Sequence, residues 1–118
     1  MATANAIELR NPLIVQSDRT ILVEVDNPLY PAARDALARF AELVKSPEHI
    51  HTYRLSPLSV GNACGVGESG ESIIDTLRQF AKYPLPPHIE TLVRGFAEDH
   101  PQHARTIDLS LRLGLTNR

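Results

Sequence analysis

Five histidines, one cysteine and a few closely spaced charges are the residues of this 118-residue chain that could do chemistry. His100 and His103 stand three apart beside Glu98 and Asp99, the kind of grouping that can offer imidazole and carboxylate to a divalent metal. Pro101 lies between the two rings and breaks any helix that would aim both at one ion. His49 and His51 share one face of a strand-like run, yet no third ligand is identifiable. Solvated or hydrogen-bonded imidazoles therefore outweigh a metal centre at both places, and no cofactor is expected. Cys64 falls on an apolar face in mid-helix, where a thiol is structural and inert rather than nucleophilic.

The glycine-rich stretch GNACGVGESG (61–70) resembles a phosphate loop in composition only. A loop that cradles phosphate follows a strand and opens a helix, whereas these glycines separate two helical patterns. No GxxxxGK[ST] occurs, and no serine sits in a GxSxG elbow, so the chain is expected to be no enzyme by itself. Arg78 and Lys82, one helical turn apart, would contact DNA phosphates if their helix were a recognition helix, with Arg54 and Arg112 extending the face. Against that stands a solvated helix face on which Arg78 pairs with Asp75 three residues earlier.

These residues are positioned by a central stretch, 49–87, that reads as strand, helix, glycine turn, helix and proline stop. Within it, Ile50, Thr52 and Arg54 alternate with His51, Tyr53 and Leu55. Ser56 caps a helix with Pro57 in its first turn, and Leu58, Ala63 and Cys64 are expected to face inward. Gly65 and Gly67 end that helix. Ser69 caps the next, whose apolar positions Ile73, Ile74, Leu77, Phe80 and Ala81 keep a helical period until Tyr83-Pro84. Two short helices joined this way form a hairpin of helix-turn-helix type.

Upstream, residues 12–16 and 20–25 predict a β-hairpin whose loop is Ser17-Asp18-Arg19. A helix is expected over 31–45, with Ala33, Leu37, Phe40, Ala41 and Val44 on one stripe. Downstream, Pro86-Pro87 open a fourth helix that buries Ile89, Leu92, Val93, Phe96 and Ala97. Residues 106–113 then alternate Ile107, Leu109, Leu111 and Leu113 with Asp108, Ser110 and Arg112, the pattern of a half-buried strand. The expected fold is α+β: an antiparallel sheet of about four strands, in the order ββαβαααβ, with helices on one face. Residues 1–11 are expected to form a flexible tail and 12–118 one domain.

The net charge of −2 is not that of a free-standing nucleic-acid binder, so any DNA contact by the chain alone would be weak. A single cysteine cannot form an internal disulfide, no apolar run reaches the length of a membrane span, and MATANAIELR lacks the layout of a signal peptide. A cytoplasmic protein that does not engage membranes is expected.

Three stretches, PLIVQSDRTILVEVDNP (12–28), PAARDALARFAELVKSPEHIHTYRLSPLSV (31–60) and SIIDTLRQFAKYPLP (72–86), resemble the N-terminal domain of XPB-type DNA-repair helicases, their bacterial and archaeal members most closely. The segment PEHIHTYRLSPLS (47–59) is the most specific part, and the similarity covers residues 12–95. The tail EDHPQHARTIDLSLRLGL departs from the family, which follows the last helix with a short glycine-containing strand. The family's ATPase and 3′→5′ unwinding reside in motor domains whose motifs are missing here. The resemblance thus implies an accessory domain that holds a protein partner: the helicase motor domains, or a similarly folded domain as in the eukaryotic repair factor TFIIH. By analogy it also implies self-pairing into a two-fold dimer through a strand edge or a helix face.

Overall fold

Short reciprocal hydrogen bonds at helix starts, a glycine-free hairpin and two prolines organise residues 7–98, the part of the chain described by the computed structural model. Strands β1 (Leu13–Val15) and β2 (Thr20–Glu24) pair antiparallel as the expected hairpin. Its loop does without glycine because Arg19 adopts a φ of 76° and Asp18 accepts from the Thr20 amide and hydroxyl. Helix α1 (Tyr30–Leu37) follows, with Pro31 in its first turn. Next come strands β3 (Glu42–Lys45) and β4 (Ile50–Arg54), then helices α2 (Pro57–Gly65), α3 (Gly70–Phe80) and α4 (Pro87–Glu98).

The α+β class, the four-stranded antiparallel sheet and the helices packed on it agree with the sequence reading. The sheet order is β1-β2-β4-β3. Leu13, Val23 and His51 lie opposite one another across the ladder, as do Val15, Ile21, Tyr53 and Leu43. Leu13, Val15, Ile21, Val23 and Tyr53 are buried on that face, against Leu37 and Phe40 from and after α1 and Val60, Ile73, Leu77, Ile89 and Val93 from the later helices. Ile14, Leu22 and Thr52 alternate onto the opposite face and are only half-buried.

Three expectations are revised. The first helix ends at Leu37 rather than Lys45. Its last turn tightens as Phe40 and Ala41 donate to the Leu37 carbonyl, and residues 42–45 leave to form β3. The apolar period through Val44 is compatible with a helix, but the ladder to β4 supplies hydrogen bonds and register that periodicity cannot report. The second helix of the hairpin ends at Phe80 rather than at Tyr83. Ala81 is extended and bridges Leu13 in parallel, while the Lys82 amide donates to the Leu13 carbonyl at 2.7 Å. The observed order is accordingly ββαββααα, and the strand expected at residues 106–113 lies outside the described residues.

Part of the expected N-terminal tail is fastened. Asn11 Nδ2 donates to the carbonyls of Gln79 and Ala81, and the Glu8 amide donates to the Lys82 carbonyl. A single asparagine amide thus satisfies two carbonyls at the end of α3.

Candidate interaction site

Both helices of the hairpin start where the sequence places them, and more firmly than a lone cap would manage. Ser56 Oγ accepts from the Ser59 amide while Ser59 Oγ accepts from the Ser56 amide, both at 3.0 Å. Ser69 and Ser72 repeat the arrangement at α3. Each box satisfies two otherwise orphaned N–H groups, a serine standing at the third helical position where glutamate is usual. Between the helices Gly67 takes a φ of 109°, so the turn needs glycine there. At Gly70 the two helices approach closely: a Cβ there would stand 3.4 Å from Ala97 Cβ and from the Arg94 backbone, at the near limit of ordinary contact.

The sequence-predicted cations are separated. Arg78 reaches across to Glu90 of α4 at 2.7 Å, not to Asp75 on its own helix. Arg94 pairs with Glu71 of α3 and with Glu90, so an acid-base network joins α3 to α4. The Arg94 guanidinium, hydrogen-bonded to Glu71, holds that carboxyl below its usual value. Lys82 is only 13% exposed, pairs with Glu24 of β2 at 2.9 Å and donates to the Leu9 carbonyl. Arg54 sits on the opposite sheet face, exposed, between Thr20 and Glu42 in the ladder. Arg112 lies outside the described residues. Arg78 and Lys82 therefore act as ties between elements, and their charge is largely answered internally.

Each histidine among the described residues is engaged locally. His49 Nδ1 lies 2.8 Å from Asp26, and His51 Nδ1 lies 3.3 Å from the Tyr30 hydroxyl, with the rings edge to face. His88 bonds the Ser17 carbonyl at 2.7 Å. No group of three metal-ligating side chains converges among the described residues, and His100 and His103 lie outside them. Cys64 packs half-buried against the core, and burial, aided by the Glu68 charge, pushes its thiol pKa up, away from thiolate reactivity. No helix of the described residues is long and apolar enough to cross a membrane.

The feature the sequence reading missed is apolar. Leu58, expected inside, is 65% exposed, and Val66 just past the helix end is 82% exposed. With Asn62 between them they keep a four-residue spacing along one outward side of α2. Pro57 is exposed beside them, and residues 57–67 contain no charged side chain at all. That missing charge was the available signal. A second exposed apolar stretch is the outer strand β3, where Leu43 is 53% and Val44 39% exposed.

Comparison with known proteins gives a consistent relationship. A family model described as a helicase conserved C-terminal domain matches residues 13–113. The DNA 3'-5' helicase XPB of Kineococcus radiotolerans is 55% identical over 75 residues, and that of Mycobacterium tuberculosis 52% over 75. Each alignment covers 64% of this chain and 14% of the relative. The general transcription and DNA repair factor IIH helicase/translocase subunit XPB/SSL2 of Saccharomyces cerevisiae is 34% identical over 82 residues, covering 70% of this chain and 10% of that protein. The chain thus spans a small fraction of the length of these relatives. The XPB resemblance read from residues 12–86 is borne out, although the family's description speaks of a C-terminal helicase domain where the resemblance pointed to an N-terminal one.

Proposed function

Because the chain belongs to the helicase conserved C-terminal domain family and is related to XPB-type helicases, we propose that it is a non-catalytic accessory domain of an XPB-like ATP-dependent 3′–5′ DNA helicase. Its role is to hold a protein partner during DNA repair. The observation that carries this reading is the uncharged outer side of α2, where Leu58 and Val66 stand in water on a helix whose start is held by the reciprocal Ser56–Ser59 box. A phosphate backbone is drawn to mobile cations, and this surface has none. An exposed apolar patch with few charges fits the buried centre of a protein interface. The partner is the helicase motor portion or a domain of similar fold, a second copy of this chain included.

The alternative, a DNA-contacting helix-turn-helix module, is favoured by one observation, the exposed Arg54 on the open sheet face. One experiment separates the two. Light scattering on a sizing column, over a concentration series, is run with the purified motor portion of a bacterial XPB helicase and separately with a short forked duplex. The interaction reading expects a complex with the motor portion or a dimer, lost in Leu58→Asp/Val66→Asp. A monomer that ignores protein and shifts onto the duplex only at low salt, with the shift lost in Arg54→Ala, would overturn it.

A further inference from the structure

Tyr30, Arg34, His51 and Tyr53 form a polar cluster that the α2 surface does not use. Tyr30 opens α1 and Arg34 follows one helical turn later, so the two lie on the same side of that helix. His51 and Tyr53 stand two apart on β4 and share the sheet face that packs against α1. The Tyr30 hydroxyl lies 3.3 Å from His51 Nδ1, and the Arg34 guanidinium stands over the Tyr30 ring, 5.4 Å from its centre. Tyr53 is only 6% exposed. Burial and then Tyr30 push its hydroxyl pKa up while Arg34 pulls it down, so that hydroxyl feels both neighbours.

Two polar groups of the cluster are incompletely satisfied. Among the described residues the Tyr53 hydroxyl has no hydrogen-bond partner, a state that a buried hydroxyl rarely tolerates. Among the same residues the only carboxylate that Arg34 meets is that of its sequence neighbour Asp35. Nε and one terminal nitrogen of Arg34 share a single oxygen of that carboxylate, each at 3.2 Å. Adjacent residues do not face each other on a helix, and both side chains stand well in water, 47% and 75% exposed. A guanidinium binds best when two of its N–H groups meet the two oxygens of one planar anion. Asp35 leaves that fork half used.

We propose that Arg34 and Tyr53 form a receptor for a carboxylate, that of an acidic side chain on the protein partner, and that Asp35 is the placeholder it displaces. The two oxygens of the incoming group take the Arg34 fork, and the Tyr53 hydroxyl donates to one of them. Tyr30, held by His51, positions the guanidinium. Arg34 supplies the fixed positive charge of the cluster and Asp35 stands beside it, a balance that suits a singly charged group and disfavours a doubly charged phosphate. The inference rests on the protein-partner reading only for the source of the carboxylate. It uses a different surface from α2, so a small probe tests it whether or not the α2 patch binds protein.

The chain contains no tryptophan, so tyrosine fluorescence reads the cluster once the exposed Tyr83 is removed as Tyr83→Phe. In that background acetate is titrated at neutral pH and constant ionic strength against chloride, with inorganic phosphate as the comparison. A saturable change in the millimolar range is expected with acetate, and weaker binding with phosphate. Arg34→Lys keeps the charge but loses the fork, and should weaken acetate binding about tenfold. Tyr53→Phe should weaken it about three- to tenfold, and Asp35→Asn should tighten it severalfold. The last two variants are close in shape to the parent residues, and thermal melts check that each keeps the fold. An acetate response no different from that of chloride, or unchanged by Arg34→Lys, overturns the proposal. So does weaker binding in Asp35→Asn, which would make Asp35 a structural pair, or tighter binding of phosphate than of acetate, which would hand the cluster to a nucleic-acid backbone.

Discussion

Lys82 and Arg78 share a helical spacing on paper and yet do different work in the structure. Lys82 is largely buried between Glu24 and the Leu9 carbonyl, so Lys82→Ala strands a partly buried carboxylate and unfastens residues 8–11. A loss of about 1–2 kcal/mol, read from the urea midpoint, is expected. Arg78→Ala removes a more exposed pair and should cost about 0.5–1 kcal/mol by the same measurement. Glu71 gives a pH signature. Its carboxyl pKa is lowered in the fold by the Arg94 hydrogen bond, so its stabilising contribution is fully present above the ordinary value of 4.5. It is lost as pH falls through the lowered value. Glu71→Gln should therefore lower stability at neutral pH and leave it nearly unchanged at the acid end, flattening the curve between, as followed by thermal melts between pH 3 and 7. A flat limb in the parent chain would refute this. Arg78, Glu90, Arg94 and Glu71 form a row between two helices, and residues so coupled will not give additive losses.

At the scale of elements, the helical hairpin is fixed by local chemistry. Ser56→Ala breaks one reciprocal box and should cost about 1 kcal/mol. Gly67→Ala meets no atom within 4 Å, so its penalty is conformational alone, also about 1 kcal/mol. Chemical denaturation of the two variants checks both figures, and a neutral Gly67→Ala would show that the turn has relaxed. The strands obey a different logic. β3 exists because β4 lies beside it, and residues 42–45 keep enough apolar periodicity to have continued α1. Its register slips between Leu43 and Lys45, where one residue bulges out of the ladder. Leu58 likewise follows a helical pattern whose inward side only the packing of α2 on α4 selects.

Over the whole molecule, a single apolar layer between one sheet face and the helices holds the domain. Leu77→Ala, deep in that layer, should lose about 2–5 kcal/mol and lower the melting temperature sharply. Leu58→Asp should leave the melt almost unchanged while removing the partner, a contrast that separates fold from interface. By itself the sequence determined what short-range physics decides. Serine caps, the prolines at helix starts, the glycine turn, the alternating faces of β2 and β4 and the amphipathic stripes of α3 and α4 depend on residues a few positions apart. The missing phosphate-loop motif and the likeness to XPB helicases over 12–95 are likewise read from the chain alone. Tertiary structure decided the helix-to-strand switch at 42–45, the end of α3 at Phe80, the partners of Arg78 and Lys82, and the exposure of Leu58. Each of those depends on a neighbour well beyond one helical turn along the chain or on which face another element covers. A hydrogen-bond ladder or an ion pair takes its partner from whatever the fold brings near, and that choice leaves no local trace in the residues that make it.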